Sequence, residues 1–491
     1  MEQLATNTEI RAQNKTTLKL LTQVYVIALI SLFSQSCVAN QAYRWTKATP
    51  PVNASVNESV DGMSSNFKIS YLEFDDMGEF WTIGDLRHFD NHPNASQLSE
   101  ILDFIRKQKE DQRDLVVVTF IHGWHNNASK YDEGQSHDKS LGGFESLLRT
   151  RAERDPNRFY LGIFIAWRGQ ALAADPFFTY WNRRDAAMRV SSPSLSEAVF
   201  RLMFAANGIA AQPELSNKCK SADLEPSKTQ FIIIGHSFGA RILENAVAQP
   251  FLTMLLEREA QTRTCIAQAR EQGIITNSEQ GSFRSPADMI VLLNSANDAF
   301  RTKSMIEGMK RLNLKVVRQT PGTLEKDKND ILSHPASSMD SYGPLILSIT
   351  SKGDWATGRV MPVAQAISSA DKSFRSYDSD GEQLGQEVDH SQEFYYLHNE
   401  GNVPEFLTHN VRRISTSACV VNHWPYFMGE DGCYLVEPEH RWNDTPFWVM
   451  KVSKHIIPNH TDIFELGLVD LLESVLDRYA ASSSETHLSV Q

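Results

Sequence analysis

The sequence predicts an α/β fold with a mostly parallel central sheet that has helices on both faces. Short runs of apolar and β-branched residues, bounded by turn residues, recur along the chain, and such runs are typical of strands buried on both sides. Longer segments with helical periodicity lie between these runs, and this alternation favours parallel strands joined by helical crossovers. Two long segments interrupt the alternation and predict cap or lid insertions.

Each predicted element follows from its local pattern. The strands are predicted at Ile69–Phe74, Leu115–Ile121, Phe159–Ala166, Gln230–Ile234, Met289–Leu293, Leu345–Ile349 and Phe447–Val452. The helices are predicted at Gln97–Lys107, Leu141–Arg154, Arg241–Glu257 and Ile463–Tyr479. In the last of these, apolar residues recur at roughly helical spacing from Phe464 to Val475, as expected of an amphipathic helix that closes the domain.

The length of 491 residues and the hydrophobic content of 41% allow one large decorated domain or two. We expect the folded domain at residues 67–480, with insertions near 177–229 and 357–445 and a disordered tail at 481–491. Residues 40–66 are rich in Asn, Ser, Thr and Pro, which indicates a flexible linker. Long insertions between sheet elements are usually lids or binding loops, so we expect them to shape a binding site.

The first 39 residues have the pattern of a targeting segment. Basic residues precede an apolar run from Leu20 to Phe33, which is too short for a comfortable membrane span. Two processing routes are open: cleavage after Ala39, or cleavage before Cys37 with lipidation of that cysteine, as in a bacterial lipoprotein. Both routes predict an exported protein, either periplasmic or tethered to a membrane surface through its N-terminus.

The net charge bears on the possible partners, and the cysteine content bears on the disulfides. The formal net charge is −12, and we exclude nucleic acid as a partner because phosphate neutralisation needs clustered Lys and Arg. The chain has five cysteines, and an even set remains if Cys37 carries a lipid. Cys419 and Cys433 lie close in sequence around an aromatic loop, so we predict a disulfide between them. Cys219 and Cys265 either form a second disulfide or are separate buried thiols.

The strongest motif follows the predicted strand that ends at Ile234. Residues 235–239 read Gly-His-Ser-Phe-Gly and lead into a helical segment. A Gly-x-Ser-x-Gly sequence between a strand and a helix is typical of a nucleophile elbow, a sharp turn that exposes the serine hydroxyl. Gly235 and Gly239 are needed because side chains there would collide with neighbouring elements. Ser237 is therefore the predicted nucleophile.

Two more segments, together with the elbow, carry a family resemblance. Phe120–Trp124 reads Phe-Ile-His-Gly-Trp and Ala166–Gly169 reads Ala-Trp-Arg-Gly. The chain resembles the α/β-hydrolase superfamily, and within it uncharacterised bacterial serine esterases that carry these segments, over most of its length from Phe67 onward. The resemblance implies an α/β-hydrolase fold and hydrolysis of a carboxylic ester without a cofactor. The Trp-Arg-Gly segment either contacts the substrate or packs at a turn.

The resemblance also implies an oxyanion hole. Acyl transfer passes through a tetrahedral oxyanion, which two preorganised N–H groups must stabilise. In the family's pattern these are the backbone N–H of Phe238, next after the nucleophile, and that of Trp124 in the loop after an earlier strand. An alternative interpretation takes His122 and His125 as a metal pair, but the helix that this spacing requires and a third ligand are missing, so no metal is predicted.

A serine hydroxyl needs a histidine base that a carboxylate orients, and in this superfamily the chain order is Ser, acid, His. Asp354 follows a predicted strand at its carboxyl end, where α/β sheets hold their catalytic residues, and is the preferred acid. Asp298 is the alternative acid. His460 precedes the closing helix, the position that the resemblance implies for the base, and His455 is the alternative base.

The sequence therefore favours a serine carboxylic ester hydrolase, esterase-like or lipase-like, that acts on a small-molecule or lipid ester through an acyl-enzyme. A hypothesis from another class is a non-catalytic α/β-hydrolase fold that serves as a binding or scaffolding module of the envelope. The complete set of nucleophile, acid, base and glycines favours the enzyme. Residues 376–381, with Glu387, partly imitate a calcium loop, but the first position is Ser, so we interpret them as a solvated acidic turn.

Overall fold

The apolar runs of the sequence become strands because β-branched and aromatic side chains pack well on a pleated surface. The fold is described here from a computed structural model of the chain. The structure describes residues 42–44, 56–57, 66–81, 97–129, 140–170, 179–207, 229–271, 282–312, 315–317, 344–374, 392–419, 425–429, 432–439 and 446–481.

The described strands, in chain order, are β1 Val56–Asn57, β2 Phe67–Glu73, β3 Leu115–Ile121, β4 Phe159–Ala166, β5 Thr229–His236, β6 Ser282–Arg284, β7 Met289–Leu293, β8 Lys315–Val317, β9 Ile346–Ser351, β10 His409–Ile414, β11 Tyr426–Gly429, β12 Gly432–Pro438 and β13 Phe447–Val452. The described α-helices are α1 Gln97–Glu110, α2 Ser140–Arg154, α3 Tyr180–Val190, α4 Pro193–Asn207, α5 Phe238–Glu271, α6 Ala299–Leu312, α7 Met361–Ser368, α8 Gln392–Leu397 and α9 Leu466–Ala481.

The strands form one large sheet of eleven strands in the order β1-β2-β4-β3-β5-β7-β9-β13-β10-β12-β11, and β6 and β8 form a separate pair. Every pairing from β2 across to β10 is parallel. The antiparallel pairings lie at the two edges, where β1 pairs with β2 and where β12 pairs with β10 and β11. The predicted α/β class with a mostly parallel sheet is therefore confirmed.

Helices cover both faces of this sheet, because successive side chains of a strand point to opposite faces. On one face, strand residues such as Val117 and Ile233 pack against α1 and α3 to α6. On the other face, residues such as Val116 and Trp448 pack against α2 and α9. Each large apolar side chain that is fully buried in these layers stabilises the fold by about 1.5–3 kcal/mol. Both faces are buried, which explains why the central strands are mostly apolar.

Two of the predicted segments need correction. The segment 357–445, predicted as an insertion, contains β10, β11 and β12, so part of it extends the central sheet. These strands were missed because polar residues such as Arg412 and Arg413 interrupt their apolar pattern near an edge of the sheet. In the segment 177–229, α3 and α4 contribute buried residues to a face of the sheet. Residues 208–228 of that segment lie outside the described residues.

The segment predicted as a flexible linker touches the folded domain at two places. The backbone N–H groups of Tyr43 and Arg44 donate hydrogen bonds to the Glu73 carboxylate. Arg44 is 6% exposed, and its guanidinium lies over the Tyr71 ring. Val56–Asn57 pairs with β2. These pieces of the segment 40–66 are therefore attached to the domain rather than free of it.

The predicted disulfide between Cys419 and Cys433 is confirmed. The leader at 1–39, Cys37, Cys219, the side chain of Cys265, the segment with Ser376 and Glu387, and residues 482–491 lie outside what the structure describes. Within the described part of the chain, no helix combines the length and apolar character that a membrane crossing requires.

Candidate active site

The carboxyl edge of the parallel strands gathers the predicted site residues. Ser237 directly follows β5, Asp354 follows β9 and His460 follows β13, and Asn294, which was not among the predicted site residues, follows β7. These four strands are parallel, and β5-β7-β9-β13 are successive neighbours in the sheet. Because parallel strands end at the same edge, residues distant in sequence meet there.

The turn at Ser237 has the backbone conformation of a nucleophile elbow. Ser237 has φ = 56°, a left-handed conformation that costs a non-glycine residue energy and persists only where the surroundings enforce it. Its N–H donates to Leu293 O at 3.0 Å, and its carbonyl accepts from the Ala296 N–H at 3.1 Å. A Cβ on Gly239 would overlap the carbonyl oxygen of Ile121. The strand on each side of β5 thus fixes the turn, and Gly239 makes the close approach possible.

Ser237, His460 and Asp354 form a continuous hydrogen-bonded chain. The Ser237 Oγ to His460 Nε2 distance is 2.9 Å, and the His460 Nδ1 to Asp354 Oδ1 distance is also 2.9 Å. When Nδ1–H donates to the carboxylate, Nε2 is left to accept the hydroxyl proton of Ser237. Ser237 is 6% exposed, so the chain is shielded from water but reachable. This is the geometry that activates a serine hydroxyl.

Further hydrogen bonds hold Asp354 in its ionised form. Its carboxylate accepts the backbone N–H of Ala356 at 3.0 Å and that of Thr357 at 3.1 Å, and it also accepts the Thr357 hydroxyl. Burial alone would raise the pKa of Asp354, but His460 and the bonds from Thr357 outweigh burial and lower this pKa below its ordinary value. Asp354 is therefore an anion that faces the imidazole.

The loop that carries His460 is fixed from three sides. The His236 Nε2–H donates to the carbonyl of His460 at 2.7 Å, and the Asn294 amide donates to the same carbonyl at 3.1 Å and to that of Asn459 at 3.2 Å. The Ser351 hydroxyl donates to the Ile457 carbonyl at 2.5 Å. Burial lowers the pKa of His236 to about 3, so the ring is neutral. The imidazole of His460 is thereby positioned by contacts made through its backbone.

Sequence reasoning did not find these positioning residues. Asn294 has φ = 43°, a conformation that Asn tolerates better than most residues, and it sits at the carboxyl end of β7. Its place at a strand end was the available signal. His236 lies inside the elbow motif, but the motif itself assigns no role to that position.

The predicted oxyanion donors lie beside the serine. A Cβ on Gly123 would lie 2.9 Å from the Ser237 Cβ, so the loop that contains Trp124 runs against the nucleophile. Phe238 is the first residue of α5, and the first N–H groups of a helix have no intrahelical acceptor. Among the described residues, the backbone N–H groups of Trp124 and Phe238 have no acceptor. Two backbone N–H groups next to Ser237 are therefore available as donors.

His122 supports this loop. Its Nδ1–H donates to the Gly123 carbonyl at 2.8 Å, and its Nε2 accepts the Trp167 N–H at 3.2 Å. Burial lowers the pKa of His122 to about 4, so the ring is neutral. Both ring nitrogens are engaged, which contradicts the alternative interpretation of His122 and His125 as a metal pair. The described residues contain no group of His, Cys, Asp and Glu that could hold a metal ion.

The Trp-Arg-Gly segment packs against the His-Gly-Trp segment. The Trp167 indole N–H donates to the His122 carbonyl at 3.0 Å, and the two rings are stacked. Gly169 exchanges backbone hydrogen bonds with His125 and Asn126. The Arg168 guanidinium forms an ion pair with Asp76 at 2.6 Å. Of the two roles left open by the sequence, these contacts show packing.

The alternative site residues lie elsewhere. Asp298 faces the Arg241 guanidinium at 3.5 Å and the Arg301 guanidinium at 3.5 Å, whereas Asp354 is the carboxylate that bonds to His460 Nδ1. His455 is exposed and lies before the loop segment that turns His460 inward. The structure thus brings the preferred acid and base to Ser237.

Aromatic side chains form a wall beside the serine. The Trp124 and Tyr180 rings meet edge-on with centroids 5.7 Å apart, and the Tyr180 and Phe238 centroids are 5.4 Å apart. Such a wall excludes water and packs against apolar groups. It continues from the elbow to the N-terminus of α3, where Tyr180 lies.

Comparison with protein-family models, with curated proteins and with solved structures finds no match for the chain. The class of the protein is therefore defined by its fold and by the geometry of the candidate site. It is an α/β protein in which a serine on a strained strand-to-helix turn, a histidine and an aspartate are aligned by hydrogen bonds.

Proposed function

We propose that the chain is a serine hydrolase with an α/β-hydrolase fold that cleaves carboxylic esters. The observation that carries the proposal is the hydrogen-bonded chain from Ser237 Oγ through His460 to Asp354, with 2.9 Å at each step. The order of these residues in the sequence, Ser then acid then His, is that of the α/β-hydrolases. The left-handed backbone of Ser237 supports the same assignment.

The geometry supports a two-step mechanism. His460 Nε2 takes the hydroxyl proton as Ser237 Oγ bonds to the ester carbon, and the carbonyl electrons move onto oxygen. The N–H groups of Trp124 and Phe238 bind this oxyanion, and one such donor is typically worth about 10²–10³-fold in kcat. When the oxyanion collapses, the C–O bond to the leaving group breaks. The His460 imidazolium protonates the departing alkoxide oxygen, which gives the alcohol. Water then attacks the acyl-enzyme by the same steps and releases the carboxylic acid.

The experiment that tests this proposal removes the nucleophile. Ser237→Ala should lower kcat on 4-nitrophenyl butyrate by about 10⁴-fold or more, because the acyl-enzyme cannot form. The matched control is Ser196→Ala. The Ser196 hydroxyl, on α4, donates to the Ala246 carbonyl of α5. The control should retain turnover. A fluorophosphonate probe should label the wild type and Ser196→Ala but not Ser237→Ala.

Two results would remove the proposal. One is turnover by Ser237→Ala equal to that of the wild type. The other is a folded wild-type protein that neither hydrolyses any ester of a chain-length panel nor reacts with the probe. That second result would favour a binding or scaffolding module instead.

We also propose that the protein works in an oxidising compartment, after export directed by its N-terminal segment. The Cys419–Cys433 disulfide supports this location, because structural disulfides persist outside the reducing cytosol.

A further inference from the structure

A cleft of about 410 Å³ lies near the candidate site, because Arg184, which lines it, is one helical turn from Tyr180 of the aromatic wall. It is lined by cationic and aromatic side chains, among them Arg184, Arg301, Lys372, Phe300, Phe374 and Tyr396. The lining comes from several elements, because Arg184 lies on α3, Arg301 on α6 and Tyr396 on α8. A concave site with convergent charged groups is the usual form of a small-molecule pocket.

The cations of the cleft exceed its carboxylates. The Arg184 guanidinium donates to the hydroxyls of Ser368 and Tyr396, both at 3.0 Å, and no carboxylate of the described residues contacts it. Arg301 shares the single carboxylate of Asp298 with Arg241. Neutral hydroxyls hold the Arg184 side chain in place but leave its charge uncompensated, so the cleft attracts anions.

Lys372 adds a further cation at the rim. Its ammonium group pairs with the exposed Asp371 at 3.0 Å and donates to the Ser368 carbonyl at 2.6 Å. Both side chains of this ion pair are solvent-exposed, so the pair is weak and does not neutralise the interior of the cleft.

Tyr180 connects this cleft to the serine. Its ring packs on Phe238, the residue after the nucleophile. Its hydroxyl is buried and has no hydrogen-bond partner among the described residues, and the whole residue is 7% exposed. Burial raises the pKa of Tyr180 above its ordinary value, against the opposing effect of the nearby Arg184 and Arg241 guanidiniums. Tyr180 therefore lies between the nucleophile and two cations, one of which lines the cleft.

The contacts around the elbow give a second short route. The Arg241 guanidinium donates to the Ala296 carbonyl at 3.2 Å, and the N–H of Ala296 donates to the Ser237 carbonyl. Arg241 then reaches Asp298, which lines the cleft. The cleft and the nucleophile therefore share neighbouring residues.

We propose that this cleft is an anion-binding subsite, which receives a carboxylate or phosphate group carried on the substrate while Ser237 attacks the ester carbonyl. The inference rests on the proposed esterase function and specifies its substrate class, namely esters with a negatively charged group at their far end. The Arg184 guanidinium donates to the anion, and Arg301 and Lys372 add positive charge beside it. The aromatic rings of Phe374 and Tyr396, 5.5 Å apart, flank the apolar part next to it.

The test compares esters of equal length that differ in one charge. The probes are 4-nitrophenyl hydrogen glutarate, adipate and suberate, each paired with the 4-nitrophenyl methyl diester of the same acid. In the wild type at low salt, kcat/KM for the best anionic ester should exceed that for its neutral partner by about tenfold or more, because one hydrogen bond to a charged group is worth at least this much. The excess should shrink in 0.5 M NaCl.

Substitutions of residues that line the cleft test whether these residues cause the preference for the anionic ester. Arg184→Gln should lower the anionic-to-neutral ratio by about tenfold through a higher KM for the anionic ester, and Arg184→Lys should restore part of the ratio. Arg301→Gln provides a second lesion if the first variant does not fold. The matched control is Arg201→Gln, which removes an exposed guanidinium that pairs with Glu197 on α4. The control should leave the hydrolysis of both esters unchanged.

A wild-type enzyme that hydrolyses both members of every pair equally would overturn the inference, as would an Arg184→Gln variant with the wild-type ratio. A 4-nitrophenyl ester that carries a phosphate in place of the carboxylate shows which of the two anions the cleft binds. For the inference to stand, at least one of the two anionic esters must be hydrolysed in preference to its neutral partner. Failure of the proposed function is distinguishable, because then no ester is hydrolysed. In that case calorimetry with suberate still decides: binding lost in Arg184→Gln supports the anion site, and no binding refutes it.

Discussion

Replacing Asp354 with Asn isolates the contribution of one negative charge to the candidate triad. An Asn at this position can keep the hydrogen bonds that Asp354 makes. Its carbonyl oxygen can accept His460 Nδ1–H and the N–H groups of Ala356 and Thr357, and its amide can donate to the Thr357 hydroxyl. The fold and the histidine tautomer should therefore survive, whereas the carboxylate charge is lost.

The expected loss follows from the distance between the charges. An imidazolium forms on His460 during attack, and its 2.9 Å hydrogen bond to Asp354 places the two charge centres about 4 Å apart. With an effective dielectric constant of about 20, this attraction is worth about 4 kcal/mol, or roughly 10³-fold in rate. The imidazole of the resting enzyme is neutral, so this charge–charge attraction is absent until the imidazolium forms. Therefore kcat should fall by about 10²–10³-fold with little change in KM.

The assay is steady-state hydrolysis of 4-nitrophenyl butyrate, with the concentration of folded protein set by circular dichroism. The matched control is Asp155→Asn, which removes a carboxylate near the opposite edge of the sheet, where it accepts the Tyr160 hydroxyl at 3.2 Å. The control should keep kcat within about twofold, because its charge is far from the imidazole. Wild-type kcat in a folded Asp354→Asn variant would refute the reasoning, and a larger loss in Asp298→Asn would assign the acid role to Asp298.

Two further predictions concern buried polar residues near the site. Asn294→Asp keeps the side-chain size and tolerates the backbone conformation but cannot donate to the carbonyls of Asn459 and His460, so kcat should fall by about tenfold or more; a folded variant with wild-type kcat would contradict this. Burial, together with the nearby Glu244, raises the pKa of Glu400 from 4.5 to about 8. The native state therefore keeps a proton that the unfolded chain loses, and the contribution of Glu400 to the free energy of unfolding should fall by about 1.4 kcal/mol per pH unit between these values. The buried neutral His122 and His236 give the opposite pH dependence in both proteins, so the slope is read from the difference between the wild type and Glu400→Gln. Urea unfolding at pH 6 and pH 7.5 should show the wild type losing stability relative to Glu400→Gln at this rate, and an unchanged difference would contradict it.

The sequence predicted the central strands well because they are buried on both faces. Leu115–Ile121, Phe159–Ala166 and Phe447–Val452 have the predicted bounds, since strands between two layers of helices are nearly continuous apolar runs. Strand β10 escaped prediction because it lies next to the antiparallel edge, where Arg412 reaches solvent and pairs with Glu437. A pattern of alternating polar residues there is compatible with a loop, and only the partner strands decide between the two.

The site was predictable to the extent that it depends on motif and chain order. Ser237 came from the elbow, and the strand ends that follow it selected Asp354 and His460. The residues that hold the base in place, Asn294 and His236, were not found, because they act through contacts between loops that are far apart in the sequence. Those contacts are products of the folded sheet, and a local pattern does not encode them.

The position of β13 has a consequence for how the protein matures. Of the described strands this one comes last in the sequence, yet it lies between β9 and β10 and is paired on both sides. Until it is inserted, β9 and β10 have unpaired edges, and His460, which follows β13, cannot reach Ser237. Insertion of a late segment between earlier ones closes long chain loops and is a slow, unfavourable step until it completes. On the proposed function, a newly made chain should hydrolyse no ester until this strand is in place, and a chain truncated before residue 446 should never acquire activity.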